Sequence, residues 1–247
     1  MPDFNLDLSQ SGLLTLALLT SFVAGLVRGT VGFGGPAIMM LVLTQFYAPA
    51  SVVVVVIMAD YTASLQFAYG ALRNAAWSFL TPVLVATFVG LPFGIYVLEA
   101  ADPDMLKRGI AAVAGFCTLL MLTGWRFKTT PSLPLIAAAG IGGGAIVGAT
   151  FIALPIMIFI FAAPGSAVTT RATALAWGVV TSSALLVIYY LRDIFTLSDL
   201  GPAVMMTVSY VLGAAAGALV FKSLSEILFR RSAIAVLLVL SAIGLLT

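Results

Sequence analysis

Charged residues are scarce in this chain of 247 residues, where they make up 8% of the sequence while hydrophobic residues make up 62%. An ordinary soluble domain carries about 25% charged residues. A chain with so little polar surface is not kept in water, which excludes a soluble globular enzyme, a disordered chain and a nucleic-acid-binding protein. The mean hydropathy of +1.19 favours a lipid bilayer as the solvent of the protein.

Histidine is absent, and cysteine occurs once, as Cys117. The lack of histidine excludes metal sites and acid–base catalysis that depend on an imidazole group. A single cysteine cannot form a disulfide bond within the chain. The sequence also contains no P-loop, zinc motif, nucleophile elbow or EF-hand. We therefore expect no cofactor, no metal ion and no enzymatic activity.

Long apolar runs, separated by short polar or Gly/Pro-rich breaks, dominate the sequence. Several of them exceed the roughly 20 residues that a transmembrane helix needs. Two others, 36–47 and 150–163, would extend only about 18–21 Å as helices, short of a hydrocarbon core of about 30 Å. The pattern predicts an all-α polytopic membrane protein with helical segments at 12–28, 36–47, 51–72, 77–98, 107–125, 132–147, 150–163, 168–191, 198–221 and 232–247.

The helical segments divide into two sets of five that resemble each other. Gly29 and Gly34 align with Gly143 and Gly148, and further matches follow in the same order along the chain. Ordered matches at a slowly growing offset indicate an internal repeat, as in many secondary transporters. The predicted organisation is a tail at residues 1–11, a first transmembrane repeat at 12–125, a linker at 126–131 and a second transmembrane repeat at 132–247.

Lysine and arginine residues are unevenly divided between the two ends of these segments, with eight on one side and three on the other. The positive-inside rule places the richer side in the cytoplasm, so that both termini are periplasmic. Each half then crosses the membrane an odd number of times, which predicts two inverted repeats. The richer side collects Arg28, Arg73, Arg126, Lys128, Arg171, Lys222, Arg230 and Arg231, and the other side Lys107, Arg108 and Arg192.

Each half contains a glycine-rich stretch beside its short segment, at residues 29–36 and 140–150, so that each repeat opens with a glycine-broken short helix pair. Irregular backbone survives inside a bilayer only within protein or along a cavity. We predict two breaks that face each other near the midplane, with helices restarting at Pro36 and near Phe151 that direct N–H groups toward an anion. The alternative is that small residues let helices pack closely. The candidate substrate-binding positions in these stretches are Gly29, Gly32, Gly34, Gly35, Gly143, Gly148 and Thr150.

Two arginines are candidate anion ligands. Arg28 directly precedes Gly29, and its guanidinium is suited to a bidentate pair with an oxyanion. Arg171 begins a long segment and is flanked by hydroxyl groups in the sequence TTRAT. The alternative for both residues is an interfacial position, in which the side chain extends to the lipid headgroups without binding a ligand.

Asp60 is a charged residue in the middle of a long apolar segment. An isolated carboxylate at that depth is costly, so we expect Asp60 to be protonated, paired or in contact with water. The functional interpretation is a proton-coupling residue or a partner for an arginine. The alternative is a structural ion pair or a hydrogen bond between helices. Trp177 and Tyr210 also lie deep, and core packing is favoured over a role in a cavity wall.

The stretch AGLVRGTVGFGGPAIMML at residues 24–41 resembles the N-terminal motif of the TauE/SafE sulfite exporter family. In that family, a turn of the form G-x-x-x-G-x-x-G-x-G-G-G leads into a short helix. The stretch GIGGGAIVGATFIALP at residues 140–155 is similar to the family's repeat of this motif. Pro36 stands where the first motif has a third glycine, and Leu41 where a proline is expected, although Pro155 is present in the second copy.

This resemblance implies a bacterial inner-membrane permease for a small anion such as sulfite or an organosulfonate, usually an exporter. A secondary transporter that works by alternating access is expected, with Arg28 and Arg171 neutralising the anion and Asp60 linking transport to protons. No ATP-binding motif is present, so gradients would supply the energy. The alternative is an anion channel or a carrier for a different small anion. Lipid, protons and a second copy in a homodimer are the expected partners besides the substrate.

Overall fold

The computed structural model describes residues 11–31, 34–194, 200–220 and 226–246. Within these ranges the chain is α-helical and contains no strand. The predicted all-α polytopic fold is confirmed, and each predicted segment corresponds to one helix, in the predicted order. The helices are α1 (Ser11–Val31), α2 (Gly35–Leu43), α3 (Pro49–Asn74), α4 (Trp77–Ala100), α5 (Pro103–Leu122), α6 (Leu133–Thr150), α7 (Leu154–Ala162), α8 (Ala167–Leu191), α9 (Leu200–Val220) and α10 (Glu226–Leu246).

The outer surface of the helices is apolar, as lipid requires. Among the described residues, six helices (α1, α3, α4, α5, α6 and α8) are long and apolar enough to cross a membrane. Large side chains such as Phe93, Tyr96 and Phe116 are 63%, 67% and 68% exposed. Apolar surface on this scale is unfavourable in water and natural against lipid tails. The chain is therefore a multi-pass membrane protein.

Two helix pairs, α1 with α9 and α4 with α6, form the most extensive contacts between described helices. Each pair joins the first helix of one predicted repeat to the fourth helix of the other. Glycines bring the α1 and α9 backbones together, since a Cβ added at Gly25 or Gly29 would collide with the α9 backbone, and one added at Gly213 with that of α1. Such an exchange between halves is typical of two related repeats. The division into two repeats and their inverted relation stay predictions.

The glycine-rich stretch at residues 140–150 is helical, so the break predicted there is wrong. α6 continues through this stretch to Thr150. A Cβ added at Gly140, Gly144 or Gly148 would collide with α4, so these glycines mark a close helix crossing. An unbroken helix satisfies every backbone polar group in lipid, and small residues allow the tight contact. The alternative interpretation, in which small residues let helices pack closely, is therefore correct for residues 140–150.

The first break lies next to α2. α1 extends through Gly29, and the described part of the break is Gly34, which has a φ of 89°. Glycine adopts this left-handed conformation without the steric cost of a Cβ. α2 begins at Gly35, and Pro36 lies in its first turn, where a missing N–H costs nothing. Gly32 lies outside the described residues.

The second break occupies residues 151–153 and contains no glycine. Phe151 ends α6 in a left-handed conformation with a φ of 52°. The Thr150 hydroxyl donates to the Ile146 carbonyl at 2.7 Å and accepts from the Ile152 N–H at 3.1 Å. α7 then begins at Leu154. The turn of the second break is therefore stabilised by a threonine hydroxyl, whereas glycine was predicted to form it.

The two short helices are each too short to span a hydrocarbon core alone. α2 and α7 have nine residues each, which is about 14 Å of helix and less than half of a hydrocarbon core of about 30 Å. The Phe127 N–H donates to the Ala162 carbonyl at 2.9 Å, joining the end of α7 to the connection that precedes α6. The end of α7 therefore lies beside the connection that precedes α6, and α6–α7 forms a helical hairpin.

Candidate functional site

A cavity of about 640 Å³ lies between the two helix breaks. Gly34 and Pro36 line it from the first break, and Phe151 and Ala153 line it from the second. α8 contributes a large part of the remaining wall. The lining residues of the connections α5–α6 and α7–α8 include Arg126 and Gly165, which are exposed, and we take this exposed part of the lining as the mouth. The two breaks therefore share one cavity.

The sequence-predicted site residues divide into those that line this cavity and those that do not. Arg28, Gly34, Asp60 and Arg171 line it. The remaining described candidates are not among the lining residues: Gly29, Gly35, Gly143, Gly148 and Thr150.

The glycines outside the cavity wall lie at packing contacts. A Cβ added at Gly29 would meet the backbone of α9, and one added at Gly148 would meet the backbone of α4. Gly143 lies against a side chain of α7, and Gly35 lies against the hydroxyl of Tyr210. These positions allow neighbouring helices to pack closely, and the side chains that face the cavity come from elsewhere.

Arg28 and Asp60 form an ion pair in the cavity wall. The Arg28 Nε donates to the Asp60 Oδ1 at 2.8 Å, and the two side chains are 15% and 14% exposed. The Arg28 Nη2 donates to the Ser64 Oγ at 3.0 Å, and the Tyr210 hydroxyl donates to the same Asp60 Oδ1 at 2.8 Å. Helices α1, α3 and α9 thus meet at one carboxylate. Arg28 is therefore an inward-facing residue and does not take the interfacial position.

The local sequence explains why Arg28 meets these partners. Gly25 and Gly29 let α1 lie directly on the α9 backbone at Tyr210 and Ala214. Arg28 lies between these two glycines in the last turn of α1, and its side chain reaches α3 and α9 at the cavity. Larger residues at the crossing would hold the helices apart and separate the guanidinium from its acceptors.

The N-terminal ends of both short helices contribute to the cavity wall. Pro36 and Ala37 line it from α2, and Ala153 and Leu154 line it from α7. Neither N-terminus has a side-chain cap. The first N–H groups of a helix have no acceptor within the helix, and they carry partial positive charge. This arrangement suits a negatively charged ligand.

The mouth of the cavity is also positive. Arg126 and Arg171 line it there and are exposed. Counting Arg28, the described lining residues include three arginines and one acidic residue, Asp60, which gives a formal charge of +2. A concave surface with excess positive charge concentrates anions near its opening.

The end of the bundle away from the mouth is held together by α4, α6 and α8. The Tyr189 hydroxyl donates to the Gly148 carbonyl at 2.6 Å. Arg192 forms a two-pronged pair with Glu99, with Nε–Oε1 at 3.1 Å and Nη2–Oε2 at 2.6 Å. No lining residue comes from the described parts of the α4–α5 and α8–α9 connections. The cavity therefore opens toward one side.

Most of the α8 residues in the cavity wall were not among the predicted site residues, and Trp177, Thr181 and Ser182 are polar examples. Trp177 is 2% exposed, as core packing requires, and its Nε1–H donates to the Thr87 hydroxyl at 3.2 Å. The buried Thr181 Oγ1 has no hydrogen-bond partner within the described structure. In the sequence, the run of three hydroxyl residues TSS at 181–183 is the feature that could have indicated a polar cavity wall in α8.

No curated protein and no solved structure matches the chain. The model of the sulfite exporter TauE/SafE family matches residues 17–245, which include both short helices and the cavity lining. Because this match covers almost the whole chain, the protein belongs to the TauE/SafE sulfite exporter family of membrane transporters.

Proposed function

We propose that the protein is a secondary transporter that exports a small sulfur-containing anion, such as sulfite or an organosulfonate, across the bacterial inner membrane. The observation that carries this proposal is the Arg28 guanidinium in the wall of a cavity between two helix breaks. A guanidinium matches the geometry of an oxyanion, and uncapped helix N-termini add favourable dipoles. The sulfur chemistry of the substrate comes from the family.

The charge of the cavity supports a path for the anion. Arg126 and Arg171 lie at the mouth, and Arg28 lies farther in beside the breaks. We expect the outer arginines to attract the anion and Arg28 to bind it, because a partly buried guanidinium is less screened by salt than an exposed one.

A cavity open toward one side supports alternating access. Its mouth carries Arg126 and Arg171, which the positive-inside rule assigns to the cytoplasm. The termini then lie in the periplasm, and an exported anion enters the cavity in the conformation described. Rocking of one half against the other would open the opposite end.

A channel is the alternative function. It needs a continuous path in one conformation, whereas the cavity lining includes no described residue from the α4–α5 or α8–α9 connections. This observation favours a carrier. Counterflow separates the two, because only a carrier accelerates uptake of labelled anion when unlabelled anion is preloaded into proteoliposomes.

Anion binding to the purified protein tests the proposal. Thermal unfolding is measured with sulfite, sulfate, thiosulfate, sulfoacetate, taurine, acetate or chloride, since a ligand of the folded state raises stability by RT ln(1 + [L]/Kd). We expect a selective shift with a sulfur oxyanion. Arg28→Gln should abolish that shift, because it removes the charge and the paired donors.

Arg73→Gln is the matched control. Arg73 lies in the last turn of α3, is exposed and does not line the cavity. This variant should keep the full shift. An equal loss of the shift in both variants, or a folded wild-type protein that responds to no anion in the panel, would contradict the proposed role of Arg28.

A further inference from the structure

We propose that Asp60 is an internal counter-ion that exchanges with the transported anion on Arg28, so that each monovalent anion binds together with a proton. The inference rests on the proposed transport function, to which it adds a coupling ion and a stoichiometry. It starts from the fact that the cavity arginine is already occupied by a carboxylate of the protein itself.

Asp60 and an anion in the cavity compete for the same guanidinium. Arg28 and Asp60 both line the cavity. The Nε of Arg28 donates to Asp60, and one of its terminal nitrogens donates to Ser64. A guanidinium presents its N–H groups in one rigid plane, so an oxyanion can bind its fork only beside the carboxylate or in its place.

A second negative charge beside Asp60 is unfavourable because the Arg28 and Asp60 side chains are only 15% and 14% exposed, so solvent screens them little. Like charges disfavour each other's ionised form, and a proton on one of them removes the repulsion. The proton moves from water in the cavity to a carboxyl oxygen of Asp60, and no other bond changes. A protonated carboxyl still accepts from Tyr210 and gains an O–H that can donate to the anion.

The neighbouring groups leave Asp60 as the acceptor of this proton. Among the side chains that the structure describes, the ionisable groups that face it are Arg28 on α1 and Tyr210 on α9. Arg126 and Arg171 add positive charge nearer the mouth, and the described lining contains no second acidic residue. Arginine stays protonated at physiological pH, and a tyrosine hydroxyl is already protonated. Asp60 is therefore the group that changes its charge.

Proton uptake on anion binding tests the inference. The probe is isethionate, a sulfonate that stays a monovalent anion across the working pH range, so its own ionisation does not interfere. Titration calorimetry at pH 7 in two buffers of different ionisation enthalpy gives the number of protons taken up per anion. We expect about one proton for the wild-type protein.

Asp60→Asn is the diagnostic variant. Asparagine keeps the size and the acceptor for Tyr210, but it cannot take up a proton. We expect it to bind isethionate without proton uptake and to transport it at a rate that does not change with pH. Tyr210→Phe leaves the carboxylate in place and should keep the uptake, which provides a second measurement if Asp60→Asn does not fold.

The outcomes separate the inference from the function on which it rests. If the wild-type protein binds isethionate without proton uptake, the proposed exchange of Asp60 with the anion is wrong. The proposed anion binding is not affected by that result. Equal uptake in the wild-type protein and Asp60→Asn also overturns the exchange, since another group then titrates. If the folded wild-type protein binds neither isethionate nor any anion of the stabilisation panel, the proposed function fails, and the exchange fails with it.

Discussion

At the residue scale, the cluster at Asp60 joins side chains that lie far apart in the sequence. Its partners Arg28 and Tyr210 are 32 and 150 positions away. The cost of a lone charge in lipid makes a partner for Asp60 predictable from the sequence. Which residue serves as partner depends on how α1 and α9 pack on α3, and the apolar surroundings of Tyr210 indicate only burial.

The Tyr210 hydroxyl is expected to stabilise the fold through Asp60. Tyr210→Phe removes one buried hydrogen bond to a charged acceptor, so we expect the free energy of unfolding to fall by about 1–3 kcal/mol. Denaturant unfolding in detergent measures the change. Tyr96→Phe is the control, since that side chain is 67% exposed. A similar loss in both variants would show that the hydroxyl contact is not the cause.

Thr181 is expected to act in binding without a cost to the fold. Its hydroxyl is buried and has no partner in the described structure. Thr181→Val should therefore keep or slightly raise stability while weakening anion binding, because it removes a donor from the cavity wall. The stabilisation panel reports both effects. Ser183→Ala, whose hydroxyl already donates to the Val179 carbonyl at 2.8 Å, should leave binding unchanged.

At the element scale, the same residue type performs two tasks that look alike in the sequence. Gly34 permits a left-handed turn between α1 and α2, whereas Gly144 lets α6 lie against α4 inside an unbroken helix. The glycine content of residues 140–150 suggested a break, and that interpretation was wrong because α4 supplies a close neighbour. A local pattern cannot report that neighbour.

Two glycines in α6 test this distinction directly. A Cβ added at Gly144 would collide with the α4 backbone at Thr87, whereas one added at Gly142 meets nothing within 4 Å. Gly144→Ala should lower the free energy of unfolding by about 1–3 kcal/mol because the helices must move apart. Gly142→Ala should be neutral or stabilise by up to about 1 kcal/mol, from helix propensity. Equal effects of the two variants in detergent unfolding would contradict the close crossing.

At the scale of the whole molecule, the fold places a positive cavity mouth at one end of the bundle and the Glu99–Arg192 pair at the other. The distribution of Lys and Arg in the sequence predicted which end is cytoplasmic. The presence of a cavity between the breaks is a property of the assembled bundle, since its lining comes from α1, α2, α3, α5, α7 and α8 and from their connections.

Cysteine labelling tests this orientation. Cys117 is buried, so Cys117→Ser gives a background without cysteine. In that background, Gly165→Cys at the cavity mouth should react with a membrane-impermeant maleimide in inside-out vesicles and not in intact cells. Asp104→Cys, at the exposed start of α5, should show the reverse. If instead Gly165→Cys reacts in intact cells and Asp104→Cys reacts in inside-out vesicles, the mouth lies in the periplasm. That result would contradict the proposed direction of export.

The hydropathy pattern was enough to predict a membrane protein whose helices follow in a particular order and include two short members. These properties are local, because each segment in lipid must satisfy its own backbone hydrogen bonds and be apolar over its length. Helix packing, in contrast, determines which glycines turn the chain and which mark a crossing, and it brings Arg28 to Asp60 at one cavity. Those outcomes depend on distant neighbours, which α1–α9 and α4–α6 packing brings within contact distance.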